Sequence, residues 1–122
     1  MTIAFVLLMA GLMGAAGVAL AAAAAHAAPG AGLDSAAYLL LFHAAAIVGA
    51  CALLDRDLVW RPGLMLAVGG WIVGAALFSG DVSLRVLSGH RLFPMAAPTG
   101  GTLLILAWLC LSFAAIGGFF KR

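Results

Sequence analysis

Few side chains in this 122-residue chain could do chemistry: three histidines, four acidic residues and six lysines plus arginines. The stretch richest in polar groups is Leu77 to Gly101, LFSGDVSLRVLSGHRLFPMAAPTGG, which carries Ser79, Asp81, Arg85, His90 and Arg91. Asp81 and Arg85 stand at i, i+4, where opposite charges meet on one face of a helix. Upstream, His26 closes one apolar run and His43 lies inside the next. A histidine exchanges a proton near neutral pH and an aspartate can hold a cation, so His43 with Asp81 is a candidate proton or ion path. His26 with His43 is a candidate pair for a metal, haem or quinone, although zinc normally takes three or four ligands. In the structural reading of the same residues, His26 and His43 satisfy buried partners and the Asp81–Arg85 pair marks the water boundary.

Motifs that carry enzymatic chemistry are missing. The chain has no G-x-S-x-G elbow, P-loop, H-E-x-x-H or dinucleotide fingerprint. Ser79 has no evident base beside it. Cys51 and Cys110 sit in apolar runs without metal-type spacing, as small buried side chains do. The expectation is a non-enzymatic protein with no catalytic residue, no metal site and no cofactor. Gly100-Gly101, near a helix start, either presents backbone N–H groups to an anion or lipid phosphate or lets a neighbouring helix come close.

The elements that must position these residues are written in the composition. The chain is 66% hydrophobic and 8% charged, where soluble domains carry about 25% charged residues. A soluble fold of this size could not hide so much apolar surface, so the surplus faces lipid. Alanine, glycine and leucine dominate, which favours helices over the alternating strands of a membrane barrel. The net charge of +2 and the lack of a basic patch with interleaved aromatics exclude a nucleic-acid partner.

Four apolar runs give helices over about 2–28, 35–54, 62–87 and 98–120, an all-α integral membrane four-helix antiparallel bundle in one domain. The first run imitates a secretory signal, with Ala25-His26-Ala27 as a cleavage-like site. It lacks a leading positive charge and is longer than a signal's apolar core, so it is expected to stay as a spanning helix. Pro29-Gly30-Ala31-Gly32 breaks it, and Asp34 or Ser35 caps the second helix. Pro62 and Pro98 open the third and fourth. Small residues recur at Ala10, Gly11, Gly14, Ala15 and Gly17, and Gly70 and Gly74 form a G-x-x-x-G pairing face.

Four crossings put both termini on one side with Arg56, Arg61, Lys121 and Arg122, leaving Arg85 and Arg91 on the other. The positive-inside rule places the termini in the cytoplasm, with the chain multi-pass in a cell inner membrane. His26, Asp34, His43, Ser79, Asp81, Arg85, His90, Arg91 and Thr99 then all fall in the opposite half. The expected partners are the lipid bilayer and another membrane protein or a second copy.

The residues also resemble a family. His26 closing the first helix, Phe42-His43-Ala44-Ala45-Ala46-Ile47-Val48-Gly49, Leu77-Phe78-Ser79-Gly80, and Pro98-Thr99-Gly100-Gly101 followed by Ala107-Trp108 together look like the domain of unknown function 423 family. The family comprises small bacterial inner-membrane proteins and a mitochondrial transmembrane relative. The resemblance covers nearly the whole chain and implies four membrane helices without an established activity. It adds Phe42, Gly80, Pro98, Gly100, Gly101 and Trp108 to the positions of interest. The chain departs from the pattern at Ala21 to Ala25, Leu39, Leu40, Asp81, Ser83 and Ala97, so roles that need the family's Tyr-Gln pair before the second histidine do not carry over. Three readings remain: an accessory or scaffold component, a small transporter or ion path, and a cofactor-binding protein.

Overall fold

The computed structural model describes residues 1–120; Lys121 and Arg122, used above to orient the chain, lie outside them. Four helices follow one another: α1 (Ile3–His26), α2 (Leu33–Asp55), α3 (Arg61–Ser88) and α4 (Ala96–Phe119). All four are long and apolar enough to cross a membrane. At their lengths each reaches about 34 Å or more, against a hydrocarbon core of about 30 Å. Short connections make successive helices antiparallel neighbours.

The ends follow local chemistry. Thr2 caps α1 by accepting the Phe5 N–H on its Oγ1 at 3.3 Å. Neither Asp34 nor Ser35 caps α2: the N-cap is Gly32, in the left-handed region at φ 92°, and the Ser35 hydroxyl donates back to the Gly32 carbonyl at 2.9 Å. A residue without Cβ takes that conformation at little cost, and this places the cap before the acidic first turn. Asp34 in that first turn faces the positive end of the helix dipole. Pro62 lies in the first turn of α3, as expected. Pro98 does not open α4; the helix starts at Ala96, after Met95 in the left-handed region at φ 68°.

Each helix packs on the next in the chain. α1 lies on α2, α2 on α3 and α3 on α4, while α1 only grazes α3; among the described residues the backbones of α1 and α2 do not approach α4. The core runs along this layer through Val6, Met13, Ile47, Leu64, Val68 and Trp71. The outer sides of α1 and α4 carry exposed Phe5, Leu8, Leu12, Ile105, Phe113 and Ile116, the surface expected of helices bathed in lipid.

Inside a bilayer the hydrophobic effect does not press one helix on another, so close approach by small residues does that work. The α3–α4 seam is built this way. A Cβ added at Gly70 would lie 2.7 Å from the Ala107 Cβ, and one at Gly74 would lie 2.9 Å from the Gly100 carbonyl oxygen. Thus the G-x-x-x-G face of α3 is read by Gly100 and Ala107 of α4. On α1 the small residues are used unevenly: Gly17 admits the Leu41 side chain of α2, whereas Gly11 faces open space. At the opposite end, the Trp60 N–H donates to the Ala114 carbonyl at 2.9 Å and seats the α2–α3 loop against α4.

Candidate functional site

The residues expected to gather in one half of the bilayer separate into three bonded places, with His26 apart from all of them. His43 sits near the middle of α2, buried (4% exposed) among rings from two other helices. Its ring centroid is 6.4 Å from that of Trp71 on α3 and 6.0 Å from that of Trp108 on α4. The two indoles stand 4.6 Å apart at 50°, within the tilted geometry that aromatic quadrupoles favour.

Both nitrogens of His43 have protein partners. Nδ1 is 2.7 Å from the Leu39 carbonyl oxygen, and the Trp108 Nε1–H donates to Nε2 at 3.2 Å. A carbonyl can only accept and an indole N–H can only donate, so the hydrogen is on Nδ1 and Nε2 is the acceptor. The histidine is fixed in one tautomer, and its outer nitrogen is already occupied. The bond to Trp108 also joins α2 to α4, whose backbones stay apart.

Ser79 forms the second place. Its hydroxyl donates to the Ala36 carbonyl at 2.8 Å, a buried tie from α3 to α2. The third is Asp81 with Arg85. The Arg85 Nε lies 3.2 Å from Asp81 Oδ2, and Oδ1 accepts the Leu92 N–H at 3.0 Å. Asp81 is 3% exposed, so the carboxylate is buried but doubly partnered. About 15 Å of α3 lies between Trp71, at the level of His43, and Asp81. His26 is at the exposed end of α1, without a side-chain bond among the described residues and about 15 Å along the bundle from His43. The His43–Asp81 and His26–His43 pairs are thus not adjacent. Among the described residues no three His, Cys, Asp or Glu side chains converge as metal ligands do.

The family-motif positions divide similarly. Phe42 points to lipid and stacks on Tyr38 at 6.1 Å. Gly80 faces Leu92, and Gly100 faces the backbone of α3. Gly101 and Pro98 border a cavity near the start of α4. Trp108, placed by charge and helix count outside the polar half, is the partner of His43. Trp71 lies between Gly70 and Gly74, inside the G-x-x-x-G run. The usable signal was register: His43, Trp71 and Trp108 all fall near the midpoints of their spans, so antiparallel neighbours bring them to one level.

The two indoles differ in one respect that can be tested. Trp71 is the more deeply buried, 2% exposed against 45% for Trp108. Yet Trp71 Nε1 has no hydrogen-bond partner among the described residues, and a buried donor without a partner is unfavourable. Trp71→Phe is therefore expected to cost less stability than Trp108→Phe, by about 1 kcal/mol. Unfolding of the two variants in the same detergent measures the order; a larger loss at Trp71 would mean that ring packing outweighs the His43 bond.

These features define a polytopic helical membrane protein in which His43 and Ser79 join one helix to another. The chain belongs to the family described as Protein of unknown function (DUF423), whose profile matches residues 13–101. It is similar to a UPF0382 membrane protein of Haemophilus influenzae, 27% identical over 83 residues, an alignment covering 68% of this chain and 64% of the relative. The chain thus spans somewhat less than two thirds of the curated relative that it matches. No solved structure matches it.

Proposed function

We propose that this protein is a non-enzymatic accessory or scaffold component of a cell inner membrane, with both termini in the cytoplasm and no cofactor of its own. The observation that carries this reading is the full engagement of His43: one nitrogen bonds the backbone of its own helix and the other bonds Trp108. Ser79 is similarly committed to Ala36, and Asp81 to Arg85 and Leu92. Side chains that could move protons or hold ligands therefore act as internal ties. The orientation is supported by the sequence positions of Arg56, Arg61, Lys121 and Arg122, counted to one side by four crossings, against Arg85 and Arg91 on the other.

An accessory component needs a partner, and the outer sides of α1 and α4 offer apolar surface for another membrane protein or a second copy. Native membranes solubilised in mild detergent and cross-linked before separation test this. The expected result is migration with a second polypeptide, recovered again when the tag is moved to that partner. Migration of the protein alone, as a monomer, contradicts it. A proton flux in liposomes that His43→Leu abolishes would instead establish the ion path.

A further inference from the structure

A cavity of about 510 Å³ opens between α3 and α4 at the end where Arg85 and Arg91 lie. Both arginines line it, as does the Asp81 carboxylate. Asp81 organises the two cations. Its Oδ2 holds the Arg85 Nε at 3.2 Å, and its Oδ1 holds the Leu92 N–H at 3.0 Å, fixing the loop immediately beside Arg91. Arg91 itself is exposed and makes no ion pair or hydrogen bond among the described residues. Two positive charges against one negative leave the cavity with a formal +1, and one guanidinium is free to take an anion in a planar, two-pronged bond.

Position decides which anion. Arg85 lies in the last turn of α3 and Arg91 just beyond it, where a helix of spanning length meets the bilayer surface. The same cavity is lined by Phe78, about 10 Å deeper along α3 than Arg85, and by Ile105, about 13 Å from the start of α4. A charged mouth over an apolar floor matches a lipid, with its phosphate at the arginines and its chains along Phe78 and Ile105. A free phosphate would leave that floor without a use. Basic pockets between membrane helices on the cytoplasmic or matrix side bind anionic head groups by this chemistry, and a guanidinium pairs with a phosphate in the same way at the opposite face. We propose that this cavity binds an anionic phospholipid through Arg85 and Arg91.

Native mass spectrometry of the full chain released from detergent tests the proposal, with phosphatidylglycerol or phosphatidylcholine added at equal concentration. The wild type is expected to retain phosphatidylglycerol in preference to phosphatidylcholine. Arg91→Gln changes an exposed, unpaired side chain and leaves the fold alone; it is expected to lower phosphatidylglycerol retention about fivefold, the effect of one basic residue near a lipid surface. Arg56→Gln, at the opposite end of the helices, is expected to change nothing. Equal retention of both lipids, no loss with Arg91→Gln, or equal losses with both variants would overturn the site. Displacement of phosphatidylglycerol by millimolar inorganic phosphate would overturn the lipid assignment and leave a site for free anions.

Discussion

Gly100→Ala is expected to destabilise the protein by about 3 kcal/mol, at the upper end of the usual cost of overpacking, while Gly101→Ala costs nothing. The two residues are adjacent on one helix, and the difference lies in what each faces. A Cβ at Gly100 would lie 2.6 Å from the Phe78 nitrogen and 2.7 Å from the Gly74 carbonyl oxygen. Both are backbone atoms of α3, so no rotamer change can relieve the overlap, and the helices must separate. A Cβ at Gly101 meets only Cδ2 of the Phe78 ring, at 3.9 Å, an ordinary contact. In a helix interior alanine is favoured over glycine by up to about 1 kcal/mol, so Gly101→Ala holds or raises stability. Unfolding of both variants in detergent gives the comparison. Equal effects would show that α3 and α4 are not in backbone contact at this level.

The second large effect is at His43. Replacing it with leucine leaves the Trp108 N–H without its acceptor in a region with no water, at a cost of about 1–3 kcal/mol. Trp108→Phe removes the donor and leaves His43 Nε2 unpaired. If the two act as one tie, the double variant loses less than the sum of the single losses. The expected coupling is about 1 kcal/mol, within the range for hydrogen bonds between membrane helices. Simple additivity in this cycle would show that the rings pack side by side without the bond.

Much of the architecture was legible in the sequence. The lengths of the four apolar runs place every helix end within two residues of where it falls, because a span must match the bilayer and proline, glycine and charge stop it there. The Asp81–Arg85 pair followed from i, i+4 spacing within one helix. What lies between helices is less legible. The charge pattern puts His43 and Asp81 on the same side, yet the partner of His43 is Trp108. These helices are apolar nearly all round, so no amphipathic stripe shows which face of α2 looks toward α4. The outcome depends on which small residues let backbones approach, and that requires both helices at once: Gly74 is informative only beside Gly100. The α2 cap was missed for a local reason, since a glycine at positive φ competes with the usual side-chain caps.

His43 is an interhelical tie with both nitrogens engaged. Nitrogen-15 NMR of histidine-labelled protein in lipid bilayers tests it most directly. Replacing exposed His26 and His90 with asparagine leaves a single ring to observe. The expected result is hydrogen on Nδ1, no hydrogen on Nε2, and magnetisation passing from the Trp108 Nε1–H to that Nε2. Hydrogen on Nε2, or on both nitrogens at once, would contradict it and return His43 to the candidates for proton transfer.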